Sequence, residues 1–186
     1  MEIKQTGILI ISAPRCGSTN LMKSLASSYN KNFSFEPDLI NQYPKFSYND
    51  VVKIVPFWET HVLHPNSFRY HLLLKNIKEF NNIILLKRKN FIEQLESYYV
   101  MKKYSTGKID RKWGHEEINK DDSYYFLEEY LSKTNEVIDR LSAELNLEIN
   151  YYEDIFKDKK LKNYKLDLSF LDSSNKLKQI NKERLV

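Results

Sequence analysis

Four glycines and five prolines are all that punctuate this chain of 186 residues, which excludes collagen-like repeats, long flexible linkers and low-complexity tails. Cys16 is the single cysteine, so an internal disulfide is excluded and a reducing, cytoplasmic setting is expected. No apolar run reaches 18 residues, which argues against a membrane-spanning helix. The first apolar stretch, Ile8 to Ile11, reads as a strand and not as the core of a secretory leader. The charge is close to balance, 29 basic against 25 acidic residues, and its lysines are scattered. No nucleic-acid-binding motif accompanies them, so no nucleic-acid partner is expected. His61 and His64 lack the Cys or carboxylate companions of a ligand set, and no metal site is expected. What remains, with 41% hydrophobic residues, is enough to build a core, and residues 1–186 read as a single domain.

Strand-like apolar runs at 7–12, 51–55, 82–86 and 147–150 alternate with helical periodicity near 18–29, 67–80, 91–103 and 122–145. Such alternation predicts an α/β fold, a three-layer arrangement in which a parallel sheet is flanked by crossover helices. The cluster Asp121-Asp122-Ser123 marks the start of the last long helix. Its expected core stripe is Phe126, Leu127, Tyr130, Leu131, Ile138, Leu141 and Leu145. The stretch after Met101, with Gly107, Trp113 and Gly114, has no clear period and reads as a lid over an acceptor.

The segment from Gly7 to Asn20 carries the chemistry. A buried strand runs into Ala13-Pro14-Arg15-Cys16-Gly17-Ser18-Thr19 and then a helix. Gly17 permits a close turn around an anion, Ser18, Thr19, Asn20 and the first amides offer donors at a helix N-terminus, and Arg15 adds a planar cationic fork. The loop is P-loop-like in frame but not in charge. Ser12 stands where a triphosphate-hydrolysing loop has its first glycine, and Ser18 where it has the lysine. A cysteine-phosphatase loop is excluded as well, since Met22 stands six residues after Cys16 in place of arginine. Cys16 itself reads as a small neutral spacer, because a thiolate there would repel phosphate.

This loop resembles that of the sulfotransferases that use 3′-phosphoadenosine-5′-phosphosulfate (PAPS), in particular the bacterial and carbohydrate-type branch with a P-R-x-G-[ST]-[ST] sequence. Three further segments are similar in type and order. Asn82-Ile-Ile-Leu-Leu-Lys-Arg-Lys-Asn90, followed by a helix with Ser97, resembles the second cofactor motif, where a basic residue and a serine bind the 3′-phosphate. The family's usual arginine-to-serine spacing of eight selects Lys89, whereas residue type selects Arg88, nine before Ser97. Both stay candidates. Tyr151-Tyr152-Glu153-Asp154-Ile155 is similar to the family's Y-E-D-L segment, which implies Tyr152 beside the adenine. Glu36-Pro37 matches the place where the arginine-loop branch carries its general base.

The resemblance implies a nucleotide-binding fold and transfer of a sulfuryl group to a hydroxyl or amine of a small-molecule, glycan or lipid acceptor. The product nucleotide would be 3′,5′-bisphosphoadenosine, and no metal is implied. Glu36 is the candidate base and His61 the reserve, because Val55 occupies the position of a histidine that other members use after the lysine here matched by Lys53. Arg15 and Lys53 would stabilise developing charge. The family's C-terminal Arg-Lys-Gly loop is not visible, and Lys176, Lys178 or Arg184 are its candidate substitutes. Trp58, Tyr104, Trp113, Tyr124 and Tyr125 are candidates to stack on a sugar acceptor. A small-molecule kinase and a non-catalytic nucleotide-binding module share the strand-loop-helix frame and stand as alternatives.

Overall fold

The computed structural model describes residues 7–37, 39–40, 45–56, 68–105 and 120–155. Five strands form one all-parallel sheet: β1 (Ile8–Ser12), β2 (Phe33–Phe35), β3 (Val51–Ile54), β4 (Asn82–Lys87) and β5 (Ile149–Tyr151), in the order β2-β3-β1-β4-β5. The helices are α1 (Ser18–Tyr29), α2 (Phe68–Ile77), α3 (Phe91–Ser105), α4 (Asp122–Leu145) and the single turn α5 (Tyr152–Ile155). The α/β reading therefore holds, with a sheet flanked by helices. Among the described residues no helix is long and apolar enough to cross a membrane.

The apolar run Ile8-Leu-Ile-Ile11 has no polar alternation because β1 is the central strand, paired with β3 on one side and β4 on the other and covered on both faces. Its entry is tight: a Cβ on Gly7 would lie 2.0 Å from the Tyr48 carbonyl oxygen, so only glycine fits there. Right-handed crossovers place α1 on one face, since it carries the chain from β1 to the β2 edge. The path from β3 to β4 and β5 runs the opposite way and puts its helices on the other face. There α2 and α4 meet directly, the Tyr70 hydroxyl donating to Glu144 Oε1 at 2.9 Å with Arg140 over the same ring.

Helix ends follow local chemistry. Asp121 caps α4, its carboxylate accepting from the Tyr124 amide at 3.1 Å and pairing with Lys103. Asn30 and Asn146 close α1 and α4 in the left-handed conformation that asparagine tolerates. The expected stripe on α4 needs one correction. Phe126 is 58% exposed, and the buried line runs instead through Tyr124, Leu127, Leu131, Thr134, Ile138 and Leu141. Adjacent residues on a helix diverge by about 100°, so burial of Leu127 turns Phe126 outward. Tyr124 is correspondingly buried against Tyr99, ring centroids 5.5 Å apart, and is withdrawn as a sugar-stacking residue. β2 was not expected from the sequence. It is three residues long at a sheet edge, with both phenylalanines about half exposed, and lacks the apolar signal of the interior strands.

Candidate functional site

In a parallel sheet all strands end on the same edge, and the strand order reverses beside the first strand. β2 and β3 lie to one side of β1, while β4 and β5 lie to the other. The crevice at that reversal is where ligands bind open α/β sheets. The loop 13–17 leaves β1 at this point, Glu36 follows β2, Lys53 lies in β3 at its C-terminal end, and Arg88 follows β4. Segments separated by up to 82 residues are thereby gathered on one edge.

The loop is closed by its own hydroxyls. Ser12 donates to Ser18 across the turn at 2.7 Å, both residues buried, so the two positions that would carry glycine and lysine in a triphosphate loop form a neutral bridge. Gly17 is the N-cap of α1 at φ 72°, and no side chain caps the helix. Gly17's carbonyl accepts from the amides of Asn20 and Leu21, each at 3.1 Å. Asn20 is exposed and its amide is thus already engaged, which narrows the amide donors for an anion to Gly17, Ser18 and Thr19. Cys16 is fully buried, and burial pushes its thiol up to about 12, in keeping with a neutral spacer.

Arg15 reaches from this loop to the second motif. Its Nε donates to Ser97 Oγ on α3 at 3.0 Å. Partial burial, and then the positive charge of Arg88, lower its pKa from the ordinary value. A guanidinium whose charge is disfavoured by a neighbouring one marks a place that an anion stabilises.

The structure separates Arg88 from Lys89. The Arg88 side chain is 8% exposed, lies 4.9 Å from the face of Tyr152, and is held by Glu93 at 2.8 Å and by Glu153 at 3.4 Å. Among the described residues its buried Nε has no hydrogen-bond partner of good geometry, although it is ion-paired with Glu153. Lys89 is turned the other way. Its ammonium is half exposed and pairs with Asp154 at 2.5 Å, while its amide donates to Glu153 Oε2 at 2.8 Å. Of the two neighbours, Arg88 is therefore the buried cation that acts on Arg15, and Lys89 the exposed one. Tyr152, at the start of α5, has one ring face covered by Arg88.

At the neighbouring strand ends, Glu36 and Lys53 form an ion pair. The Lys53 side chain is 6% exposed and its ammonium also lies 4.5 Å from the Phe35 ring centroid. The Glu36 amide donates to the Lys53 carbonyl at 2.7 Å, which fixes the residue beyond the strand end. Among the described residues four that are not glycine have positive φ: Asn30 and Asn146 are helix caps, and the other two are Arg15 at 63° and Glu36 at 49°. Neither Arg nor Glu favours that region, and each such residue costs on the order of 1–3 kcal/mol. Backbone strain therefore falls on two of the residues singled out from the sequence.

Other residues converge here without having been singled out. Gln94 is fully buried and its amide nitrogen donates to the Pro14 carbonyl at 2.6 Å, with Cys16 Sγ at 3.1 Å. Its place one helical turn before Ser97 was the available signal. Tyr98 and Tyr130 pack together with centroids 6.0 Å apart. Burial, followed by the charge of Glu36, raises Tyr98 to about 12. Glu153 ties β4's exit to α5 through both Arg88 and the Lys89 amide. His61, Trp58, Trp113, the proposed lid and Lys176, Lys178 and Arg184 lie outside the described residues. Among the described residues no cluster of three His, Cys, Asp or Glu has metal-binding geometry.

No family model, no curated protein and no solved structure matches the chain significantly. The functional reading accordingly rests on the chain's own residues.

Proposed function

We propose that the protein is a PAPS-dependent sulfotransferase acting on a hydroxyl or amine. The observation that carries this reading is the contact between Arg15 Nε and Ser97 Oγ, which joins the two sequence segments that resemble cofactor motifs into one cationic, hydroxyl-bearing site. The donor set fits an organic phosphate: uncapped amides at α1, the hydroxyls of Ser18, Thr19 and Ser97, and two arginines. The neutral bridge between Ser12 and Ser18 takes the place of the lysine that a P-loop kinase uses on its outer phosphates, which favours a sulfuryl donor over ATP.

PAPS supplies an activated sulfuryl group together with a 3′-phosphate that serves as a handle. Arg88, Arg15 and Ser97 bind that handle in this scheme, and the Tyr152 ring flanks the base. Glu36 accepts the proton of the acceptor hydroxyl, a role worth about two to four decades in rate. Lys53 orients the Glu36 carboxylate and supplies positive charge to the reacting centre. The buried, neutral thiol of Cys16 suits a reducing cytoplasmic compartment.

The decisive experiment incubates the protein with sulfur-labelled PAPS and a panel of metabolites, glycans and lipids, and titrates it with 3′,5′-bisphosphoadenosine and 5′-AMP. Label transfer and at least about tenfold tighter binding of the bisphosphate are expected, since one charge-assisted hydrogen bond exceeds the 1.4 kcal/mol of a decade. Equal affinity for the two nucleotides would sink the reading. ATP turnover with magnesium would replace it with the kinase-like alternative.

A further inference from the structure

Gln94 is buried against this loop at a place that no motif marks. Pro14 and Arg15 occupy the centre of the turn that leaves β1, and Arg15 has φ 63°. Proline followed by a residue at positive φ is the type II arrangement, which ordinarily requires glycine or asparagine at the second position. Rotation of the single peptide group between Pro14 and Arg15 converts it to type I, where an arginine is unstrained. Left to itself, this dipeptide favours the other turn.

The Pro14 carbonyl belongs to that peptide group, and Gln94 Nε2 donates to it at 2.6 Å. Gln94 is fully buried on α3, and among the described residues its Oε1 has no hydrogen-bond partner. An apolar side chain of the same length would pack there without leaving an orphaned oxygen, so the amide is not explained by packing. What the amide supplies is a donor on the one carbonyl whose direction selects the turn.

We infer that Gln94 is a positioning residue, a latch that holds the Pro14–Arg15 peptide in the orientation that aims Arg15 at Ser97 and keeps the amides of Gly17, Ser18 and Thr19 facing outward for an anion. Release of the latch turns the Pro14 carbonyl, withdraws Arg15 from Ser97 and unseats Cys16, the next residue in the loop. The effect on nucleotide affinity rests on the sulfotransferase reading. The effect on the loop does not.

Cys16 makes the latch measurable, because it is the only thiol in the chain and is fully buried when the loop is closed. The full-length protein is labelled with a small maleimide, alongside Gln94→Met, which keeps length and packing without the donor, and Gln94→Glu. Gln94→Met is expected to label at least about tenfold faster than the unaltered protein, equivalent to about 1.4 kcal/mol of loop opening, with a cooperative thermal transition retained. Gln94→Glu adds a readout that packing alone does not move. Its protonated carboxyl donates to Pro14 as the amide does, whereas the carboxylate repels that carbonyl, so its labelling rate relative to the unaltered protein rises with pH. Arg88, Glu153, Lys53 and Lys87 act on the same thiol in both proteins and largely cancel in the ratio.

Equal labelling of Gln94→Met and the unaltered protein overturns the latch. Should Gln94→Met fail to fold, the pH dependence of Gln94→Glu decides, and a ratio that stays flat from pH 5 to about pH 9 has the same consequence. In parallel, 3′,5′-bisphosphoadenosine affinity is expected to fall at least tenfold in Gln94→Met. Absence of nucleotide binding by the unaltered protein removes the sulfotransferase reading and leaves the latch to be judged on Cys16 labelling.

Discussion

Replacement of Arg88 and of Lys89 by alanine separates the two candidates for the 3′-phosphate on magnitude alone. Arg88 is nine-tenths buried beside Arg15, so a contact from it to a phosphate is charge-assisted and little screened. Loss of such a bond costs about 1.5–3 kcal/mol, or one to two decades in the dissociation constant of 3′,5′-bisphosphoadenosine. The affinity for 5′-AMP, which lacks the 3′-phosphate, should barely change. Lys89 is half exposed and engaged with an equally exposed Asp154. Its removal deletes a surface ion pair of at most about 1 kcal/mol and should leave the bisphosphate-to-AMP preference intact. Arg88→Ala also frees Glu93 and Glu153, both partly solvated, so the fold should lose only about 1–2 kcal/mol and remain testable. Calorimetric titration of both nucleotides into both variants gives the answer as a ratio of ratios. A preference erased by Lys89→Ala and retained in Arg88→Ala would refute the assignment made from side-chain direction.

Glu36→Gln should keep the affinity for 3′,5′-bisphosphoadenosine while lowering label transfer by about two to four decades, measured in single turnover; near-normal transfer would move the base to His61. Arg15→Gly and Arg15→Ala should both lose nucleotide affinity by calorimetry, but the glycine variant should resist urea better by about 1 kcal/mol, because only it relieves the positive φ. A more stable alanine variant would show that the turn is unstrained. Cys16 sets an alkaline limit. Its folded-state pKa of about 12 lies above the reference value of 9.0, so its contribution is fully present below pH 9 and is lost as the unfolded chain ionises between about pH 9 and 12. Urea unfolding at pH 8 and pH 10 should show roughly 1.4 kcal/mol more loss in the unaltered protein than in Cys16→Ala, and parallel losses would contradict a buried neutral thiol.

Much of the fold was legible because its signals are local. Ile8 to Ile11 and Ile83 to Leu86 are unbroken apolar runs, and only strands covered on both faces require that. Asp121 announced α4 through cap chemistry. β2 was not legible, because its ladder bonds to β3 are supplied by the partner strand and leave no mark on Phe33-Ser34-Phe35. The misplaced Phe126 has a related cause. Periodicity identifies a helix, but when aromatic residues are consecutive at Tyr124, Tyr125 and Phe126 it does not say which one faces inward.

The site was legible to the extent that its residues belong to short ordered segments, and its remaining detail is decided by direction. The sequence placed Arg88 and Lys89 one residue apart with equal claims. Consecutive residues leaving a strand point to opposite sides, so a shift of one position exchanges a buried cation facing Arg15 for an exposed one facing Asp154. Spacing counted along a family motif assumes that the chain leaves the strand in the same phase. Here Glu153 holds the Lys89 and Asn90 amides and also pairs with Arg88, and this fixes the phase of the exit. Gln94 eluded sequence reading for the complementary reason: its place one turn before Ser97 marks a helix face, and what it does there is shown only by the carbonyl it holds. Both cases locate the missing information in contacts between the loop, α3 and α5. Those contacts determine which of several chemically equivalent residues faces Arg15, and any transfer of motif residues onto this chain has to be made through them.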